Sequence, residues 1–174
     1  MSFNEEWFGP GNQTALYNCA VVTKGVPGYV VEVGSWEGRS TVQLARGAYP
    51  ALVHAVDTWE GSPGEISAEL ARERNVFATF AQNMDELTDG NVIPHRMGWR
   101  EFFATDRGPI RLLHIDAEHT YEEVRDTIAA TLQKMSHGGI MCGDDFHHEP
   151  VRRAVLEAFP HVTAAGENLW LQQC

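Results

Sequence analysis

The stretch Tyr29–Ser40 reads Y-V-V-E-V-G-S-W-E-G-R-S, and it constrains the fold more than any other part of the chain. An apolar run (Tyr29, Val30, Val31, Val33) leads directly into a turn at Gly34. A second glycine follows at Gly38, and Ser40-Thr-Val-Gln-Leu-Ala then suits a helix. A buried strand, a tight glycine turn and a helix N-terminus in that order make a cradle for nucleotide-type ligands, because unpaired backbone N–H groups and the helix dipole converge there.

Strand and helix patterns alternate nearly to the C-terminus. Candidate strands are Tyr29–Val33, Leu52–Asp57, Asn91–His95, Ile110–Asp116, Gly139–Gly143, His161–Ala164 and Leu169–Gln172. Between them, Ser62-Pro-Gly-Glu65 reads as a helix start with Ser62 as cap and Pro63 at the first position. From there Ile66, Leu70, Phe77, Phe80 and Met84 fall on one helical face. Thr120-Tyr-Glu-Glu123 is a capping box that opens a helix with the stripe Val124, Ile128, Leu132 and Met135, ended by Gly138-Gly139. A shorter helix follows Pro150, and another candidate lies around Thr14–Thr23. Such alternation predicts an α/β fold: a Rossmann-like, mostly parallel seven-stranded sheet with helices on both faces. Only Ala165-Gly-Glu-Asn168 separates the last two strands, which suits an antiparallel hairpin at a sheet edge. The 174 residues read as one domain, 1–174, in which 1–28 is a short segment able to cover a substrate or a dimer partner.

Composition removes several functions. A net charge of −11 with only two lysines, Lys24 and Lys134, argues against nucleic acid as a partner. Proton abstraction therefore falls to histidine or a carboxylate. No apolar stretch is long enough to span a membrane, and Met1-Ser-Phe-Asn-Glu-Glu lacks signal-peptide character. Three scattered cysteines, Cys19, Cys142 and Cys174, suit a reduced, cytoplasmic setting.

In open parallel sheets, ligands bind beyond the carboxyl ends of the strands. Those ends carry Glu32-Val-Gly34, Asp57-Thr-Trp59, Met97-Gly-Trp-Arg100, Asp116 followed by His119, and Asp144-Asp145 followed by His147-His148. Carboxylates or glycine turns stand at four of these five ends, and half-buried aspartates are costly unless paired or liganded, so the ends point to a site. The dinucleotide pattern G-x-G-x-x-G is not met, since Trp36 and Arg39 stand where its later glycines belong.

The spacing E-x-G-x-x-x-G from Glu32 to Gly38 resembles the first motif of class I S-adenosylmethionine (SAM)-dependent methyltransferases. Leu113-His-Ile-Asp-Ala-Glu-His-Thr-Tyr121 and Gly138-Gly-Ile-Met-Cys-Gly-Asp-Asp-Phe146 resemble the metal-dependent small-molecule O-methyltransferases of the catechol and macrolide-sugar type. The resemblance implies that Glu32, Gly34, Ser35, Trp36, Gly38 and Ser40 line the methionine part of SAM, and that Asp57 takes the ribose hydroxyls. It further implies Thr58, Trp59, Gly98 and Trp99 on the adenosine side. Asp116, Asp144 and Asp145 would hold Mg²⁺ or Mn²⁺, with Asp116 also beside the methyl donor. His119 would be the general base, three residues past Asp116, where catechol-type relatives carry lysine. Departures from the pattern are the bulky Trp36 in the turn, Asp145 where asparagine is frequent, and a short N-terminus whose missing cover a homodimer could supply.

The implied reaction moves a methyl group from SAM to a hydroxyl of a small molecule. Two alternatives stay open: a metal-independent SAM methyltransferase, and a methyltransferase-like SAM-binding module without catalysis. Blander readings also stand for single residues. Asp57 can cap a turn, Trp36, Trp59 and Trp99 can be core aromatics, and His119 can cap the helix at Thr120. Zinc is disfavoured, because the acids outnumber His and Cys at these ends.

Overall fold

The computed structural model describes residues 3–105 and 108–174; Met1 and Ser2 of the N-terminal segment lie outside them. One seven-stranded sheet carries the molecule. Its strands are β1 (Tyr29–Val33), β2 (Val53–Asp57), β3 (Val92–Arg96), β4 (Ile110–Ile115), β5 (Met135–Gly143), β6 (Thr163–Ala165) and β7 (Leu169–Gln173), in the spatial order β3-β2-β1-β4-β5-β7-β6. The first five pair in parallel, and β7 pairs antiparallel with both β5 and β6, as expected. The sheet reverses direction of growth between β1 and β4, the switch point where such sheets hold ligands.

Side chains alternate across each strand, so each strand feeds two cores. Val30, Val53, Leu112 and Cys142 join Leu16, Cys19 and Ala20 of α1 (Pro10–Val22) and Leu44, Ala45 and Ala48 of α2 (Arg39–Ala48). Val31, Val33, Leu113, Ile115 and Met141 join α5 (Trp99–Ala104), α6 (Tyr121–Leu132) and α7 (Glu149–Ala158) through Phe102, Val124, Ile128, Val151 and Val155. A third cluster packs Ala55, Val42 and Trp59 against Val76, Phe80 and Met84. Each Val, Leu, Ile, Phe or Met side chain among these, once fully buried, contributes about 1.5–3 kcal/mol. Among the described residues, no helix is long and apolar enough to cross a membrane.

Three local expectations need correction. The helix expected from Ser62 through Met84 is two helices, α3 (Ile66–Glu73) and α4 (Val76–Leu87). Ser62 caps neither; its N–H donates to Ser67 Oγ, while Asn75 breaks the run and caps α4 by accepting the N–H of Ala78. Gly138-Gly139 does not end α6, which stops at Leu132; both glycines and Met135 belong to β5, which begins earlier than expected. The N-terminal helix starts at Pro10, whose missing N–H costs nothing at a first helical position. Thr120 caps α6, its Oγ1 accepting the N–H of Glu123 at 3.3 Å, while the Glu123 carboxylate accepts from Trp99 and Arg100.

Candidate active site

A cavity of about 770 Å³ opens at the carboxyl ends of β1, β2, β4 and β5. Its floor is the turn after β1. Gly34 has φ 86°, and a Cβ there would lie 1.9 Å from the carbonyl oxygen of Asp116, so only glycine lets β1 and β4 end this close together. Asp57, at the end of β2, holds the turn in shape. Its Oδ2 accepts the N–H groups of Ser35 and Trp36, and its Oδ1 accepts that of Trp59 at 2.6 Å. Burial pushes the Asp57 carboxyl up, and these three amide bonds work against that shift. Ser35 Oγ is buried in the wall with no hydrogen-bond partner among the described residues, an orphan that a polar ligand would satisfy.

Gly34, Ser35, Trp36, Ser40, Asp57, Thr58, Gly98 and Trp99 all line the cavity. Three expected cofactor residues do not. Glu32 is fully buried behind the turn, bonded to Thr41 and 3.1 Å from His114 Nδ1. Burial opposes charge on His114, but the bond to Glu32 and the charges of Asp116, Glu32 and Asp144 raise its pKa. Trp59 is buried against Phe77 and Phe80 and donates its indole N–H to the carbonyl of Trp36, so it buttresses the turn from outside. Gly38 has φ 89° at the start of α2, where a Cβ would strike Met84 and Phe80. Its role is to let α2 begin.

Opposite the turn, Asp116, His119 and Asp145 bring one ligand atom each within 4.8 Å of one another. Of the expected trio Asp116, Asp144 and Asp145, the first and last converge with His119, while Asp144 lines the same cavity and its Oδ1 accepts from Asn12 Nδ2 and from the N–H of Asp145. His119 Nε2 lies 2.8 Å from Asp145 Oδ2, and its Nδ1 lies 3.1 Å from Glu65 Oε1. Glu65, taken from the sequence only as part of a helix start, is therefore a site residue.

The charges of this cluster are interlocked. Burial opposes charge on His119, yet the bond to Asp145 and the charges of Asp145, Asp116 and Glu65 outweigh it and push its pKa up to about 9. Burial and the neighbouring charge of Asp144 push Asp116 up to about 7. Burial would also raise Asp145, but its bond to His119 and the His119 charge hold it below its ordinary value. These contacts favour the protonated imidazole over the neutral histidine expected near pH 7.

The N-terminal segment contributes to the wall through Phe3, Glu5, Trp7 and Phe8. Glu5 accepts the indole N–H of Trp36 and pairs with Arg74, while Trp7 lies against Trp36 at 5.6 Å between ring centroids. Nothing in the sequence marks Glu5, because Arg74 is 69 positions away. Among the described residues, three non-glycine residues have positive φ: Trp36 (46°), Trp59 (56°) and Asp145 (57°). All three lie in or directly behind the cavity wall, where backbone strain of about 1–3 kcal/mol each is concentrated.

Solved structures share this fold. The O-methyltransferase NovP aligns with a TM-score of 0.70 at 22% identity, covering 92% of this chain and 78% of its own. The O-methyltransferase TomG from Streptomyces achromogenes, solved in complex with SAM, aligns at 0.67 and 15% identity, covering 91% and 77%. CalS11, a TDP-rhamnose 3'-O-methyltransferase, aligns at 0.62 and 18%, covering 92% and 77%. At such identities these are likenesses of fold. Comparison with curated protein sequences gives no match. The profile of the methyltransferase-domain family matches residues 31–146, well over half of the chain, and the protein belongs to that family.

Proposed function

We propose that the protein transfers the methyl group of SAM to a hydroxyl of a small-molecule acceptor, assisted by a divalent cation. One observation carries this reading: the Gly34 turn with its Asp57 brace faces the Asp116, His119 and Asp145 cluster across a single cavity. SAM fits the first half. Ser35 Oγ lacks a partner, Asp57 keeps a lone pair free beyond its three amide bonds, and Thr58, Gly98 and Trp99 wall the adjoining space. A divalent cation fits the second half, since two carboxylates converge there beside His119 and Mg²⁺ takes few protein ligands, all oxygen. When bound, SAM supplies an electrophilic methyl, and the cation lowers the pKa of a nearby hydroxyl.

The chain's own residues do the rest. The turn 34–36 and Asp57 orient the donor. Asp116 and Asp145 are the anionic holders of the cation, and Asp116 also borders the turn through Gly34. His119 Nε2 takes the acceptor's proton once His119 is neutral, a state that a neighbouring cation favours. Most of the acceleration comes from holding methyl and acceptor in line.

A metal-free reading draws on the same cluster, because His119 is already bridged by Asp145 and Glu65 and its charge is balanced without a cation. Calorimetry with S-adenosylhomocysteine, repeated with Mg²⁺ and with chelator, tests both. Binding in either condition supports the SAM site, and no binding in either overturns it. Methyl transfer from labelled SAM to a panel of hydroxylated acceptors should stop in chelator; full turnover there favours the metal-free reading.

A further inference from the structure

We infer that Asn12 is a positioning residue for the cation cluster, acting through Asp144. The inference rests on the reading of Asp116, His119 and Asp145 as that cluster. Asn12 stands in the first turn of α1 and is 1% exposed. Both ends of its amide are engaged. Nδ2 donates to Asp144 Oδ1 at 2.9 Å, and Oδ1 accepts the N–H groups of Glu167 and Asn168 at 2.7 and 3.0 Å. The same Asp144 oxygen accepts the N–H of Asp145 at 2.8 Å. Asp145 then reaches His119 Nε2.

The chain of contacts matters because Asp145 is held at φ 57°, a conformation that non-glycine residues keep only under external restraint. Two bonds restrain its backbone: its N–H donates to Asp144 Oδ1, and its carbonyl accepts the His148 N–H at 2.8 Å. Asp144 is itself a buried carboxylate whose bond to its neighbour's N–H is local. Asn12 fixes the carboxylate from a distant segment, donating to the same oxygen. Asn12 is in turn fixed by the β6–β7 turn. Glu167 accepts the N–H groups of Gly11 and Asn12 at 2.9 and 2.6 Å, and at Gly166 (φ 58°) a Cβ would lie 2.4 Å from Asn12 Oδ1. The turn is shaped around this one amide. Asn12 touches none of the three converging side chains, so it acts through position alone, as outer partners of metal ligands do.

The test compares Asn12→Ala with Glu167→Ala. Both loosen the docking of α1, but only the first removes the bond to Asp144; Glu167→Ala keeps the backbone N–H groups of 167 and 168 that hold Asn12 Oδ1. Mn²⁺ binding, followed by electron paramagnetic resonance, should weaken about 10-fold or more in Asn12→Ala. It should stay within about twofold in Glu167→Ala, although both variants melt at lower temperature. In an Asp144→Ala background, Asn12→Ala should change Mn²⁺ affinity by less than about twofold, because the two residues form one link. Equal losses in Asn12→Ala and Glu167→Ala, or additive losses with Asp144→Ala, would reduce Asn12 to a docking residue. If the wild-type protein binds no Mn²⁺, the cation reading fails, and Asn12 is judged on the Asp145 amide resonance of the metal-free protein. That resonance should shift in Asn12→Ala and hold in Glu167→Ala; the reverse overturns the inference. If Asn12→Ala does not fold, Asn12→Asp keeps the acceptor for Glu167 and Asn168 and replaces the donor to Asp144 with a second carboxylate that repels it. It is read by the same resonance, with the same two outcomes.

Discussion

Asp57 Oδ2 accepts the backbone N–H groups of Ser35 and Trp36, each at 2.8 Å, so the acid ending β2 builds the turn that ends β1. Cofactor affinity and stability are therefore linked at this residue. Asp57→Ala leaves three buried N–H groups without their acceptor. It should lower the affinity for S-adenosylhomocysteine by about 2–3 kcal/mol and the melting temperature by about 5–10 °C. Calorimetry and thermal unfolding of one preparation check both, and unchanged affinity would remove Asp57 from the cofactor site.

The two glycines of the first motif should answer differently to alanine. At Gly34 the new Cβ meets the backbone of Asp116, which cannot yield without parting β1 from β4. Gly34→Ala should cost more than about 3 kcal/mol and abolish cofactor binding. At Gly38 the nearest atom is the flexible end of Met84, so Gly38→Ala should cost about 1–2 kcal/mol, mainly for its positive φ. Denaturant midpoints of both variants, with cofactor titrations, give the comparison.

His119→Gln separates a base from a ligand. As a base, His119 should lose kcat by about 10²–10⁴-fold in this variant while Mn²⁺ affinity changes little. A ligand role would instead appear as a loss of Mn²⁺ affinity of about tenfold or more, with kcat restored at high metal.

Two pH dependences follow from the cluster. His119 has its pKa raised from an ordinary 6.5 to about 9. Its contribution to stability is fully present below pH 6.5 and is lost as pH rises through 9. Asp116, raised from 3.8 to about 7, loses its contribution in the same direction over the lower window. Metal-free protein should therefore become less stable between pH 6.5 and 9, and His119→Gln should flatten that decline. Cation binding needs both groups unprotonated, so Mg²⁺ affinity should rise across pH 7–9 with proton release, seen as a buffer-dependent heat. A flat profile in wild type would show that His119 is not held as an imidazolium.

The β1 strand, the Gly34 turn, the carboxylates at the strand ends and the Thr120 cap could all be read from the chain, because each rests on neighbours a few residues apart. Apolar runs and capping boxes act locally, and their physics is the same wherever the element ends up. The helix boundary at Asn75 was harder, since the apolar stripe Ile66 to Met84 continues across a break that one side-chain cap makes. What only the tertiary structure decided is which way the acids point and what holds them. Asp144 and Asp145 are equivalent in sequence, yet one faces Asn12, 132 positions away, and the other faces His119. Glu32 reads as part of the glycine motif, but pairing with His114 across β1 and β4 turns it away from the cavity. The residue types at the strand ends were thus determined by sequence. Their partners and charge states were not, because these depend on burial and on contacts that exist only once distant segments have packed.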